Sequence, residues 1–295
     1  MLPRGSGTPR HKTNSEYQAS MDNLGKFEIR KFPEYRIPTI DTLRWGRRKH
    51  HIPCMLEIDI TDARARMREY KAETHERFSF TGWIVKCIAQ AVSEHKQVQG
   101  MRRGKHKLVI FDDVDVAIIV EKPKEEVDSP KETLPMPYII RRANEKSVGE
   151  INLEIRKAQK ELPDSGVVQL ASERSSRQTK LFCKLPRFLR DWLVWRRIAR
   201  NPFCAKKMIG TVAVTSVVSV GTSGINWAIP TGIHPLVFAL GGIIKKPGVA
   251  GGEIKIREYL NMTVLFDHDV IDGAPVARFL NRLRNLLEQG YGVGE

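Results

Sequence analysis

The segment FDHDVIDGAPVARFL, residues 266–280, sets His268 and Asp272 four positions apart, where an apolar run gives way to a helical pattern. Turns at the ends of buried strands are where reactive side chains collect, because the strand fixes the backbone while the turn leaves the side chain reachable. An ordinary imidazole titrates near pH 6.5, so it can take a proton from a thiol or hydroxyl at neutral pH and return it. Such general-base work typically contributes about 10² to 10⁴ in rate. Asp272 has another use, since it stands where a side chain can cap the helix beginning after Gly273. HxxxDG alone arises by chance in roughly 3% of chains of such composition, so the elements around it must support it. The four cysteines, Cys54, Cys87, Cys183 and Cys204, have neither CxxC nor CxxH spacing. No zinc site or disulfide framework is expected, and a reducing, cytoplasmic setting fits.

The elements that would position this turn can be read from periodicity. YLNMTVLFDHDVI at 259–271 predicts a long apolar strand, and Val276, Phe279, Leu280, Leu283, Leu286 and Leu287 form the buried stripe of the following helix. Pro275 is tolerated in that helix's first turn. Further strands are predicted at 211–220 and 236–244. Upstream, MLEIDI at 55–60 reads as extended and passes into a helix over 61–71. Ser79 caps a helix whose Ile84, Val85, Ile88, Ala91 and Val92 share a face and which ends around His95. KLVIFDD at 107–113 and VDVAIIVEK at 114–122 predict two adjoining strands, and 123–137, with four prolines, reads as a loop. Ser147 and Glu150 form a capping box before a helix over 148–162. Strands interleaved with helices indicate an α/β or α+β two-layer fold.

At 295 residues with 41% apolar content the chain can fill a large core. No apolar run approaches the roughly 20 residues of a spanning helix. The basic, polar segment MLPRGSGTPRHKTNSEYQ lacks the apolar core of a secretory signal, so export is not expected. Lys plus Arg number 49 against 34 acids, a net +15, and the excess is uneven. Residues 174–207 hold eleven basic residues against the single acid Asp191, and residues 1–52 hold eleven against five. The organisation expected is a disordered basic tail over 1–25, a domain over 26–290, and a basic insert at 163–207. In the insert, KLPRFLRDWLVWRRIARNP spaces Leu185, Phe188, Leu189, Trp192 and Trp195 as an amphipathic helix. That helix can dock on the protein's own core with arginines outward, or, through 184–200, meet a membrane surface or a protein partner. No nucleic-acid module accompanies the basic pI, so nucleic acid is not the expected partner.

Four blocks resemble, in order and approximate spacing, the acyltransferase component of 2-oxoacid dehydrogenase complexes and chloramphenicol acetyltransferase. They are TLRWGRRKHH at 42–51, FSFTGWIVKCIAQAVSEHKQVQG at 78–100 with the KLVIFDDVDVAIIV that follows it, GTVAVTSVVSVGTSG at 210–224, and FDHDVIDGAPVARFLNRLRNLLE at 266–288. The resemblance implies a chloramphenicol acetyltransferase-like fold, a mixed sheet covered by helices, and a CoA-dependent acyltransferase. By motif match His268 would be the general base, deprotonating an acceptor thiol, hydroxyl or amine that attacks an acyl thioester. Asp272 would pair with Arg47 of the Trp-x-Arg block and hold the loop that presents His268, with Arg44 and Arg48 as adjacent competitors. The oxyanion hydroxyl would come from Thr215 or Ser216. Consecutive strand residues face opposite sides, so only one of the two can point to the site.

The resemblance also implies acyl-CoA as substrate without a metal, an acceptor it does not name, and at least a homotrimer with active sites between subunits. Asp269 stands where the dehydrogenase-complex enzymes commonly have Arg, so contacts through that position do not carry over. No lipoyl-lysine motif or subunit-binding segment is present, which favours a standalone catalytic domain over a core acting on a lipoyl domain in trans. A third reading is a non-catalytic scaffold using its basic helix. His50, His51 and His234 are expected to serve surface or packing roles.

Overall fold

The computed structural model describes residues 36–74, 79–123, 133–161, 182–216 and 226–294, with positions 25, 27, 29, 32 and 33. The expected tail at 1–25 lies, Gly25 apart, outside the described residues. Two units are distinguished, Met1–Glu34 and Tyr35–Glu295, and the second carries every element below. In the first, Phe27, Ile29 and Phe32 are exposed.

A six-stranded mixed sheet has the order β1-β8-β7-β6-β4-β5. Its strands are β1 (His51–Asp59), β4 (Val116–Pro123), β5 (Thr133–Ile140), β6 (Val212–Ser216), β7 (Leu236–Ala250) and β8 (Glu253–Asp267). β6 runs parallel to both β4 and β7, and the remaining pairs are antiparallel. A separate two-stranded ribbon joins β2 (Met101–Arg103) to β3 (Lys107–Val109). One face of the sheet packs against α2 (Thr61–Thr74), α3 (Phe80–Glu94), α4 (Val148–Glu161) and α8 (Gly273–Glu288). Val212 and Val214, Leu236, Phe238 and Leu240, and Met262, Val264 and Phe266 all point into that core, meeting Trp83, Ile88, Phe279 and Leu283. The fold is thus a mixed sheet flanked by helices, with the apolar stripes of α3 and α8 at its centre.

Caps fix two helix starts. The Gly82 N–H donates to Ser79 Oγ at 3.2 Å. The 147/150 box closes both ways, with the Glu150 N–H on Ser147 Oγ at 3.2 Å and the Ser147 N–H on Glu150 Oε2 at 2.7 Å.

Several boundaries differ from expectation. The proline-rich stretch at 123–137 is not all loop, because β5 begins at Thr133. β5 is an edge strand, where an absent N–H can face outward without breaking a ladder, so Pro135 and Pro137 are accommodated. Residues 107–113 do not adjoin β4; only Lys107–Val109 is strand, and it pairs with β2. The 211–220 strand is described to Ser216, and 217–220 lie outside the described residues. β7 and β8 extend well past the expected 236–244 and 259–271, as a hairpin whose turn residues Gly251 and Gly252 have φ of 61° and 80°. Those positive angles are what a two-residue hairpin loop needs.

The described part of the basic insert is helical, as α5 (Arg187–Arg190), a π-helical turn (Asp191–Trp195), α6 (Arg196–Arg200) and α7 (Pro202–Ile209), and 163–181 lie outside the described residues. Its expected stripe does not form one buried face. Trp195 is 1% exposed, whereas Phe188 and Trp192 are 68% and 61% exposed. The π turn inserts extra backbone and rotates the helix, so Trp195 and Ile198 turn inward beside Met101, Ala205, Ile209 and Ile233 in a second apolar cluster. The insert is tied to α1 (Arg36–Gly46) by charge. Arg190 clasps the buried Asp41 at 2.7 and 3.3 Å, and Asp191 accepts from Arg44 and, at 3.0 Å, from Trp45 Nε1.

Candidate active site

β8 ends at Asp267, and His268 begins the turn into α8 with its side chain exposed. The backbone of that turn is pinned on both sides. The His268 N–H donates to the His50 carbonyl at 3.0 Å, and the Asp267 N–H to the Pro235 carbonyl at 2.9 Å. The Asp267 carboxylate is almost fully buried and bonds Lys49 Nζ at 2.5 Å. The Phe266 ring lies beside the imidazole at 5.7 Å between centroids. Gly100, just before β2, abuts the turn, since a Cβ there would stand 3.0 Å from Val270.

His268 opens onto a cleft lined by Lys49, His50, His51, Ile52 and Asp269. His50 Nδ1 lies 2.9 Å from Asp269 Oδ1, and Arg102 is 3.9 Å from the other oxygen. The hydrogen bond from His50 is the main cause holding the Asp269 carboxyl below the usual carboxylate range. His51 donates through Nε2 to the His234 carbonyl at 2.9 Å, and His234 in turn donates through Nε2 to the Ile209 carbonyl at 2.7 Å. Burial lowers the pKa of both rings, that of His234 to about 4, so His234 is neutral at pH 7. His50 and His51 therefore line the cleft, while His234 is a packing residue behind it.

Asp272 occupies the backbone N-cap position of α8, but its side chain makes no capping hydrogen bond. Within the chain it is not brought to Arg47 either, and neither forms an ion pair among the described residues. Arg47 sits in the turn closing α1 with its side chain exposed. Arg44 is committed to Asp41 and Asp191, and Arg48 lies 4.0 Å over the Trp45 ring. The cations that stand against the His268 segment are Lys49, on Asp267, and Arg102, near Asp269.

Register separates the two hydroxyl candidates. Ser216 is level with Leu240 and so shares the helix-covered face with Val212 and Val214. Thr215 is level with Ala239, itself level with Thr263, and points to the opposite face along with Asp267. Thr215 is thus two strands from β8 and four residues short of Asp267. At about 4.8 Å between strands and 3.4 Å per residue, its backbone is about 17 Å from that of Asp267. Within one chain the imidazole and this hydroxyl cannot reach the same atom.

An exposed imidazole at the end of β8 and the hydroxyl-bearing β6 thus lie in one sheet. The model of the family "2-oxoacid dehydrogenases acyltransferase (catalytic domain)" matches residues 46–166 and 207–292, and the chain belongs to that family. The match breaks over 167–206, which takes in most of the basic insert. The lipoamide acyltransferase component of the branched-chain alpha-keto acid dehydrogenase complex of Bacillus subtilis is 24% identical over 294 residues, 97% of this chain and 57% of that protein. The dihydrolipoyllysine-residue acetyltransferase component of the Staphylococcus epidermidis pyruvate dehydrogenase complex is 24% identical over 251 residues, 80% of this chain and 45% of that one. The chain spans about half the length of these curated relatives. Among solved structures, Azotobacter vinelandii dihydrolipoamide acetyltransferase superposes with a TM-score of 0.65 at 17% identity, covering 97% of this chain and 99% of that one. A probable dihydrolipoamide acetyltransferase of Listeria monocytogenes gives 0.61 at 19% identity, covering 90% and 96%.

Proposed function

We propose that the protein is a CoA-dependent acyltransferase in which His268 takes the proton of an acceptor thiol, hydroxyl or amine as it attacks an acyl thioester. The carbonyl carbon gains a bond to the acceptor and loses its bond to sulfur. The imidazolium returns its proton to the departing CoA thiolate, and the hydroxyl of Thr215 donates to the oxyanion between the two events. The observation that carries this reading is His268 itself, exposed in a cleft at the end of β8 in a chain of acyltransferase family. Turnover of acyl-CoA with His268→Ala reduced about 10² to 10⁴-fold would support it, and an unaffected variant would refute it.

The separation of His268 from Thr215 supports an assembly of copies, with the base of one chain facing the hydroxyl of another, and we read the active form as at least a trimer. The distal β7–β8 hairpin supports association too. Beyond Tyr259 on β8 it has no neighbouring strand among the described residues, and Val249, Ile254 and Ile256 expose one apolar face of it. An isolated two-stranded ribbon is marginal in water, so a covering partner would stabilise it. Since the relatives are named for lipoamide or dihydrolipoyllysine, dihydrolipoamide belongs among the acceptors tested beside small alcohols and amines.

A further inference from the structure

The fold brings together two basic segments far apart in sequence. On the insert, Trp192, Arg196, Arg197, Arg200 and Asn201 line one shallow concavity. Immediately past it Phe203, 51% exposed, lies under the guanidinium of Arg103 at 5.3 Å. Arg103 belongs to the β2–β3 ribbon, whose tip adds exposed Lys105 and Lys107. Between residues 101 and 111, and again between 192 and 210, there is no acidic residue. Arg103, Lys105, Lys107, Arg196, Arg197 and Arg200 make no ion pair among the described residues. The one acid of the α5–α6 segment, Asp191, is turned away, toward Arg44 and Trp45.

Apolar side chains accompany these charges. Phe188 and Trp192 stand one turn apart on the helix and both project into solvent, although burying them would be favourable. Unpaired arginines and lysines beside outward-facing Phe and Trp are what an interfacial helix needs: the rings enter the headgroup boundary and the cations meet anionic lipid. From these observations we propose that the α5–α6 segment and the tip of the β2–β3 ribbon form one docking surface for an anionic lipid bilayer. It involves neither the His268 cleft nor any step of acyl transfer. A nucleic-acid duplex, whose bases are already stacked on one another, would satisfy the charges but leave Phe188 and Trp192 without a role.

The test is partition of the full chain onto vesicles of phosphatidylcholine doped with phosphatidylglycerol, against pure phosphatidylcholine, with tryptophan emission followed in parallel. The surface predicts binding to the anionic vesicles alone, weakened by salt. Each Lys or Arg near a charged membrane is worth about fivefold in partition. The triple change Arg196→Glu, Arg197→Glu, Arg200→Glu should therefore cost well over tenfold, and Lys105→Glu with Lys107→Glu should weaken binding independently. Trp192→Ser should abolish the blue shift of emission on binding while leaving the circular dichroism of the fold unchanged. Equal binding to both vesicle types, no binding to either, reversals without effect, or duplex DNA bound more tightly than the anionic vesicles would each overturn the proposal.

Discussion

Lys49 Nζ stands 2.5 Å from the Asp267 carboxylate, joining the turn between α1 and β1 to the residue before His268. Asp267 is 4% exposed on its side chain and Lys49 27%, so the two ends differ in what they lose when separated. Lys49→Met leaves a carboxylate buried without its cation, which typically costs about 3–5 kcal/mol. Asp267→Asn leaves an ammonium that can swing to water, and should cost less. Denaturant unfolding of both variants checks this ordering, and a higher cost for Asp267→Asn would show that the pair is not what anchors the turn.

Thr215 and Ser216 should separate cleanly in kinetics. Thr215→Val removes a hydroxyl from the face shared with Asp267, and if it serves the oxyanion the loss in kcat should be about 10² to 10³-fold. Ser216→Ala acts on the helix-covered side and should change kcat far less. Equal effects would mean that neither hydroxyl meets the reaction directly.

Acid should weaken the fold through His234. Its folded pKa of about 4 lies below the ordinary 6.5, so between those values the unfolded chain binds the extra proton. Stability from this group is therefore full above pH 6.5 and is lost as pH falls toward 4. The shift corresponds to about 3 kcal/mol at most, reduced by the ring's partial exposure. His234→Gln should flatten that part of the stability profile, and an unchanged slope would remove His234 as its cause.

Arg190 holds the insert to α1 by clasping Asp41, whose carboxylate is 1% exposed. Arg190→Leu strands that charge, with Arg44 left 3.4 Å away as its remaining partner. A loss of about 2–4 kcal/mol follows, with faster proteolysis within residues 182–209. Unchanged stability together with unchanged cleavage would show that the clasp does not hold the insert.

Much of this was legible from pattern alone. The Ser79 and Ser147 caps, the α3 and α8 stripes and the strand-turn-helix around His268 follow from local rules: spacing of apolar residues, capping chemistry and a Gly-Ala-Pro helix start. What pattern could not supply depends on distant residues. Lys49 is one cation in the run RWGRRK, and nothing local marks it as the partner of a carboxylate 218 positions away. The strand at Thr133 hides among prolines because only its edge position makes them harmless. The π turn at Asp191–Trp195 undoes a perfect amphipathic spacing, since periodicity assumes an unbroken α-helix. The face of Thr215 became readable only from its level with Ala239 and Thr263.

The most direct measurement is complementation between two inactive variants, His268→Ala and Thr215→Val, unfolded together, refolded and shown to co-assemble. If the base of one chain works with the hydroxyl of another, random mixing restores a wild-type site at about a quarter of the interfaces, and turnover returns to about that fraction. Co-assembled mixtures no more active than the parents would place both groups in the same chain's site, against the register that holds them about 17 Å apart, and would contradict the account.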